Sequence, residues 1–258
     1  MRGSGAGVLG LSRPSSPALV GALATFGVMA AAQAPIPFVD DDRLLTVVVV
    51  AAFFATTCAL ATAIWGGYRV ARAALIVVVA TFVLEKVGSS TGWPFGEYQY
   101  TDALQPQVAG VPVVVPLAWF AMAVPARQVA AALVRNPGAR VALGAVALTA
   151  WDLMLDPQMV DEGYWRWAVD GPWRGIPLSN YAGWLVSSAG VMAAPEWLLP
   201  PRRHGPALLA LYTWWGSSEA LAFLVFLGDP VVGLVGGVAM LLPAGLAWRA
   251  ELSDRQET

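Results

Sequence analysis

Cysteine, histidine and lysine each occur once in this 258-residue sequence, as Cys58, His204 and Lys86. A single cysteine excludes an internal disulfide framework and a thiolate metal cluster. A single histidine, next to Arg202 and Arg203, leaves little for a Ser-His-Asp triad or a histidine metal centre, and we expect it in a solvated loop. The lysine lies at the edge of an apolar run, which argues against a retinal Schiff base. No metal site is expected.

Charged residues are scarce as well. They make up 12% of the chain, against about 25% in soluble domains, while 57% of the residues are hydrophobic. Eight apolar runs approach the roughly 20 residues that a membrane crossing needs. They are Ala18–Phe38, Leu44–Trp65, Ala71–Gly88, Val111–Leu133, Ala139–Leu155, Tyr181–Leu199, Pro206–Leu227 and Val231–Trp248. The sequence therefore predicts an all-α, polytopic membrane helix bundle of about eight transmembrane helices, one domain at residues 17–249 between flexible tails at 1–16 and 250–258.

The basic residues predict how this bundle is oriented. With the N-terminus inside, eight crossings leave only four of the 15 Lys and Arg residues outside: Arg43, Lys86, Arg166 and Arg174. Because cytoplasmic loops carry an excess of Lys and Arg, both termini are expected in the cytoplasm and the protein in the cell membrane. A signal peptide is the alternative for the first run, since Arg2 and Arg13 precede a short apolar core and Ala32-Gln33-Ala34 resembles a cleavage site.

Acidic residues in apolar runs are the first candidates for chemistry, because an unpaired buried charge is costly. Asp152 and Asp156 are four residues apart and share a helix face, and Pro157 is expected to end that helix. Glu85 is expected at the same membrane side, and Glu219 lies deep in the seventh run. A carboxyl that stays protonated in such surroundings is a general acid. The alternative is that these groups are boundary residues paired with Lys86 or with arginines. For Glu196 an interfacial position is favoured.

Aromatic residues form a second group on the expected outer side. A tryptophan and tyrosine belt at the membrane interface is one explanation, but the inner side has far fewer aromatic residues. Aromatic faces also attract cations, which would suit a carbocation or a long polyene. The substrate-binding candidates, besides Glu219, are Trp93, Phe95, Tyr98, Tyr100, Trp119, Trp151, Asn180 and Trp184. Asn180 could position a water molecule or cap a helix.

Two blocks of residues resemble the CruF-type carotenoid hydratases, which include the bisanhydrobacterioruberin hydratases. The first contains Glu85, Gly88, Gly92, Pro94-Phe95-Gly96, Tyr98, Tyr100, Gly110-Val111-Pro112, Pro116-Leu117 and Trp119. The second contains Trp151-Asp152, Asp156-Pro157, Trp165, Trp167, Gly171, Gly175-Ile176-Pro177, Asn180 and Gly183-Trp184. The resemblance covers roughly residues 80–185. It implies that water adds across the terminal double bond of an acyclic carotenoid and gives a tertiary alcohol, with no redox cofactor.

Roles for the residues follow from the chemistry of that reaction. Asp152 or Glu85 would protonate the terminal alkene, and facing aromatic rings would hold the tertiary cation. The other carboxylate, helped by Asp156 or Asn180, would orient and deprotonate the attacking water. The expected partners are an acyclic carotenoid, water, the lipid bilayer and other membrane enzymes of the carotenoid pathway, and nucleic acid is not among them.

Two other functions compete with this hypothesis. A membrane prenyltransferase or carotenoid elongase would bind diphosphate through magnesium, and Asp152-x-x-x-Asp156 or Asp40-Asp41-Asp42 could serve it. The second of these clusters is favoured as solvated loop charge. A non-enzymatic polyene-binding protein or a proton-coupled transporter is the other possibility, although no clear repeat typical of transporters is present.

Overall fold

The computed structural model describes residues 17–39, 41–202 and 205–256, with the side chains of 254–256 left out. In this part of the chain there are eight α-helices. They are α1 (Pro17–Gln33), α2 (Arg43–Trp65), α3 (Gly67–Thr91), α4 (Val114–Leu133), α5 (Pro137–Asp161), α6 (Leu178–Leu198), α7 (Pro206–Val225) and α8 (Pro230–Gln256). A 3₁₀ turn, Ile36–Phe38, follows α1. Each of the eight expected runs falls on a helix.

Six of these helices are long and apolar enough to cross a membrane: α1 with its 3₁₀ turn, α2, α4, α5, α7 and α8. The other two are α3, which carries four charged residues, and α6. The prediction of a helical membrane bundle is therefore confirmed, whereas eight crossings and the orientation of the termini stay predictions. At the C-terminal end, α8 remains helical to Gln256, where a flexible tail was expected. Residues 1–16 lie outside the described residues, as do Asp40, Arg203 and His204.

Helix α4 forms the centre of the bundle, where it packs against α2, α3, α5, α6, α7 and α8. Small side chains allow this close packing, because they let helix backbones approach one another. Ala121, Ala123, Ala126 and Ala130 on this helix have no solvent exposure. The central position of α4 brings the residues at its N-terminal end, such as Trp119, within reach of several other helices.

Helix α5 continues through a proline because a neighbour satisfies the carbonyl that the proline leaves free. Pro157 lies inside α5, so the prediction that it ends this helix is wrong. Proline has no N–H for the carbonyl four residues earlier, that of Leu153, and the indole of Trp173 donates to that oxygen at 3.1 Å. Tertiary contacts therefore override the local preference of proline.

Four loops meet at one end of the bundle and form a cap. Strand β1 (Tyr98–Tyr100), in the α3–α4 loop, pairs antiparallel with β4 (Trp165–Trp167), in the α5–α6 loop. Two shorter strands, β2 (Gln107–Val108) and β3 (Val111–Pro112), pair within the α3–α4 loop. Gly92 ends α3 with a φ of +77°, a left-handed conformation that glycine adopts readily and that turns the chain into this cap.

The other two loops join the cap through polar contacts. The Tyr164 hydroxyl donates to Asp42, just before α2, at 2.6 Å, and Arg174 forms an ion pair with Asp229 between α7 and α8. Asp42 is only 4% exposed, so the expectation that this acidic loop is solvated charge is wrong for Asp42.

The opposite end of the bundle is held by ion pairs. Glu196 on α6 accepts from Arg127 on α4 at 2.9 Å and from Arg140 on α5 at 2.5 Å. Both arginines are almost completely buried, and Arg127 also donates to the Leu199 carbonyl at 2.7 Å. Glu196 therefore ties three helices together.

Candidate active site

A cavity of about 310 Å³ lies beneath the cap. Residues from α1 to α7 and from both strands of the β1–β4 pair line it, and most of these are apolar or aromatic. Seven tryptophans are among them: Trp119, Trp151, Trp165, Trp167, Trp184, Trp214 and Trp215. The cavity volume is at the low end of the range for small-molecule sites, and its wall suits a hydrocarbon.

Glu85 on α3 reaches this cavity and is held by three neutral donors. Its Oε2 accepts from the hydroxyls of Tyr98 at 2.6 Å and Tyr100 at 2.8 Å, and its Oε1 accepts from the Trp119 indole at 2.8 Å. The residue is 4% exposed. Because all three donors converge on one carboxyl group, its position and orientation are fixed.

The two tyrosines come from β1 and can approach Glu85 because residue 88 is glycine. A Cβ at Gly88 would lie 2.8 Å from Phe95 Cδ2 and 2.9 Å from the Tyr98 hydroxyl oxygen, which is closer than packing allows. Burial, followed by the charge of the Glu85 carboxyl, raises the pKa of Tyr98 and that of Tyr100 well above the usual range. Both side chains therefore remain protonated hydrogen-bond donors.

Asp152 and Asp156 lie side by side on α5 and share one donor. The Asn180 amide nitrogen donates to Asp152 Oδ2 at 2.7 Å and to Asp156 Oδ2 at 2.5 Å. Trp165 donates to the other oxygen of Asp156 at 2.7 Å. Asp156 lines the cavity, whereas Asp152 is fully buried and its Oδ1 has no hydrogen-bond partner among the described residues. The side chain of Asn180 thus bridges two carboxyl groups and does not cap α6.

Glu219 on α7 is the fourth buried carboxyl at the cavity, and the Trp151 indole donates to it at 2.9 Å. Asp152 lies within electrostatic range of Asp156, Glu85 and Glu219. None of the four forms an ion pair with a described residue. The alternative that these acids are boundary groups paired with lysine or arginine is therefore wrong for the described part of the chain.

The aromatic rings are packed around these acids. Trp119 stacks on Trp184 with ring centres 4.0 Å apart and planes 12° from parallel. Trp151 meets Trp184 and Trp215 edge to face, at 6.4 and 5.9 Å. Phe95, Tyr98 and Tyr100 also line the cavity. Trp93 is 68% exposed and is not part of the lining, so the structure does not bring this candidate to the site.

Several lining residues were not among the sequence-based candidates. Trp165 and Trp167 belong to the second resemblance block, and their alternation with Arg166 is typical of a strand. Trp215 precedes Glu219 by one helical turn, which could have placed both on one face. Gln33 and Ser218 also line the cavity, and their only signal was a polar side chain within an apolar run.

These features define a helical membrane protein with a largely apolar cavity into which several acidic side chains point. Residues 42–248 match the family described as "Carotenoid biosynthesis protein", and the chain belongs to that family. The family resemblance predicted from the two residue blocks is confirmed.

One relative is the bisanhydrobacterioruberin hydratase of Haloarcula japonica. The two sequences are 35% identical over 126 residues, which are 46% of this chain and 43% of the relative. The chain thus spans less than half the length of the curated relative it matches. No solved structure matches the chain.

Proposed function

We propose that this protein is a carotenoid hydratase, which adds water across the terminal carbon–carbon double bond of an acyclic carotenoid. The observation that supports this proposal most strongly is the convergence of carboxyl groups from α3, α5 and α7 on one aromatic cavity. An isolated alkene offers no polar group to activate, so its hydration begins with a proton from an acid. A carboxyl in apolar surroundings without a cation is suited to carry that proton.

The Asp152–Asp156 pair is the acid in this mechanism. Of two neighbouring buried carboxyl groups, one stays protonated because two adjacent charges repel each other, and Asp156 presents that proton at the cavity wall. The proton adds to the CH carbon of the terminal double bond. The electron pair of that bond forms the new C–H bond, which leaves a tertiary cation at the neighbouring carbon.

The cation is stabilised by the aromatic wall, where the stacked Trp119–Trp184 pair and Trp151 offer electron-rich faces. A water oxygen then bonds to the cationic carbon. Glu85 accepts hydrogen bonds from Tyr98, Tyr100 and Trp119, as an ionised carboxylate does, and it takes the proton released from that water. Return of this proton to the aspartate pair completes the cycle, so that one water is consumed and no redox cofactor takes part.

The test is expression in cells that accumulate lycopene, followed by mass analysis of the pigment. Wild type should add the mass of one water per reacting end. Asp152→Asn, Asp156→Asn and Glu85→Gln should each abolish the addition while pigment still accumulates. Trp93→Phe is the matched control, because Trp93 lies outside the cavity. Full hydration by all three acid variants would overturn the mechanism.

The hydrogen bonds that the aspartates already accept from the protein argue against the prenyltransferase alternative. Protein donors already occupy both carboxyl oxygens of Asp156 and of Asp42 and one oxygen of Asp152, which leaves little for a magnesium diphosphate to bind. The same cells supplied with a prenyl donor distinguish the two reactions. A pigment that lengthens, without gaining water, would favour the transferase.

A further inference from the structure

Among the residues that the structure describes, the exposed part of the cavity wall lies on one side of the bundle. Four of the described lining residues are exposed: Ala34, Trp214, Leu221 and Phe226. The first follows α1, and the others belong to α7 and its C-terminal end. Every other lining residue is buried or half-buried. The opening therefore lies between α1 and α7, and we call this stretch the α1–α7 seam.

Side chains, and not close helix packing, hold the α1–α7 seam together. In the described part of the chain, helix α1 packs extensively on α2, whereas close backbone contacts between α1 and α7 are few at most. One amide bridges the seam: Gln33 Nε2 donates to Ser218 Oγ at 3.1 Å, and the Trp214 indole donates to Gln33 Oε1 at 3.3 Å. Phe38 meets Phe226 edge to face across the same gap, with ring centres 5.1 Å apart.

These contacts can separate without disrupting the core. Hydrogen bonds between membrane helices are individually modest in energy, because polar groups find other partners when helices part. The two rings that meet across the gap are both exposed, Phe38 at 71% and Phe226 at 47%. Leu221, at 55% exposure, continues the apolar surface outward from the mouth.

We propose that the α1–α7 seam is the groove through which one end of a long polyene enters from the bilayer, while the rest of the polyene lies along the seam. In the absence of the polyene, the Gln33 side chain holds the seam closed through its hydrogen bonds to Ser218 and Trp214, and we call these three residues the latch. This inference rests on the proposed function, which supplies the occupant. A cavity of about 310 Å³ accommodates one end group of a carotenoid and leaves the remainder outside. The exposed surfaces of α1 and α7 beside the opening carry large apolar side chains such as Val28 and Leu224, which suits an approach from the apolar part of a bilayer.

The test closes the seam with a reversible cross-link in full-length protein. Gln33→Cys with Ser218→Cys replaces the two hydrogen-bonded side chains of the latch, and Cys58→Ala removes the chain's own thiol. Thr25→Cys with Thr56→Cys is the matched control pair. Those two hydroxyls are 2.9 Å apart between α1 and α2, outside the cavity lining, so that cross-link restrains α1 but leaves the seam free.

Both pairs are cross-linked in membranes with a short bifunctional reagent that forms a disulfide with each thiol, and the protein is then exposed to lycopene. Pigment retained by the purified protein and pigment hydration are measured separately. The seam cross-link should reduce both to background, and reductant should restore both. The control cross-link should leave both at the level of the parent protein. Uptake and hydration by the seam-cross-linked protein equal to those of the control would overturn the proposal.

A single substitution provides a second route if the cysteine pair does not fold. Ala222→Trp on α7 fills the mouth from the lining side, and Val238→Trp adds the same bulk to the exposed face of α8 as its control. Loss of pigment only in Ala222→Trp supports the groove, and equal retention in both overturns it. Pigment that binds through the seam in wild type without being hydrated would refute the hydratase and leave the groove standing.

Discussion

Neutral donors hold all four buried carboxyls of the site. Glu85 is bound by two tyrosines and a tryptophan, Asp152 and Asp156 by Asn180, and Glu219 by Trp151. Neutral donors fix the direction of a carboxyl group without forming an ion pair with it. A group positioned in this way can gain and lose a proton during a reaction, whereas a carboxylate paired with arginine, such as Glu196, is held in its charged form.

The acidic candidates could be identified from the sequence, because a carboxyl in an apolar run is conspicuous. Their donors could not all be identified in the same way. Trp165 and Asn180 lie 9 and 24 residues after Asp156, and only the paired loops and the approach of α6 to α5 bring them to that carboxyl. Asp152 likewise could be named as a candidate from sequence, but its position behind the cavity wall depends on packing.

Asn180 tests the aspartate pair directly. In Asn180→Ala, Asp152 and Asp156 each lose a donor in a buried place, so the free energy of unfolding should fall by about 1–3 kcal/mol. Hydration should fall more than pigment retention, since the pair loses its arrangement while the cavity remains. Thermal unfolding in detergent and pigment analysis measure the two effects. Ser179→Ala, at the exposed neighbouring residue, is the control, and equal behaviour of both variants would contradict the role of Asn180.

Tyr98 and Tyr100 predict a dependence of stability on alkaline pH. Their pKa values are raised in the folded protein, mainly by burial, relative to about 10 in an unfolded chain. Above that pH the unfolded chain releases phenolic protons that the folded protein retains. The unfolded state then binds fewer protons, so the free energy of unfolding falls as pH rises. The contribution is complete below about pH 10 and is lost above it.

Chemical unfolding in detergent at a series of pH values measures this slope. Tyr98→Phe removes one of the two groups and should flatten the decline. It should also lower stability at neutral pH by about 1–3 kcal/mol, because Glu85 loses a donor. Tyr68→Phe, at a side chain that is 76% exposed, is the matched control. If the free energy of unfolding of Tyr98→Phe falls above pH 10 as steeply as that of wild type, the folded protein does not raise the pKa of the Tyr98 hydroxyl.

The helices were predictable as elements because apolar runs of this length leave few alternatives in a membrane. The cap was not, because pairing of Tyr98 with Trp167 joins residues far apart in sequence. The continuation of α5 past Pro157 was also missed, since it depends on the indole of Trp173, which a local pattern does not contain.

Gly88 shows how a helix depends on the loop that folds over it. Alanine favours a helix by about 1 kcal/mol over glycine, so Gly88→Ala should not weaken α3 itself. Its Cβ would, however, displace Phe95 and the Tyr98 hydroxyl. Hydration should therefore fall about tenfold or more, the equivalent of about 1.4 kcal/mol, while α3 remains helical.

Gly190→Ala is the control for this substitution. Gly190 lies on α6, and a Cβ there would meet nothing within 4 Å. This variant should keep full hydration and gain slightly in thermal stability. If Gly88→Ala hydrates as well as Gly190→Ala does, the close approach of the cap to α3 does not matter for the site.

At the scale of the whole molecule, the two ends of the bundle differ in structure. The sequence predicted only that they differ in the number of basic residues. The cap end joins four loops through strands, hydroxyl contacts and one ion pair, and it covers the cavity. The other end is closed by the Glu196 cluster and by the Trp65 indole, which donates to the Pro200 carbonyl at 2.8 Å. The site therefore lies at the cap end of the bundle, and the ion-paired end lies away from it.

The distribution of basic residues predicts which surface this is. Because Lys and Arg concentrate in cytoplasmic loops, the cap should face away from the cytoplasm. Gln105→Cys and Asp170→Cys place thiols at exposed positions in two loops of the cap, and Ala139→Cys places one at the opposite end, near the start of α5. A membrane-impermeant maleimide should label the first two in intact cells and the third only after permeabilisation. The parent chain, in which Cys58 is the single thiol, gives the background.

Because β1 and β4 pair, both cap loops must lie on one side, so labelling of Gln105→Cys without Asp170→Cys would contradict the fold. Labelling of Ala139→Cys alone in intact cells would reverse the orientation and place the cavity beside the cytoplasmic surface.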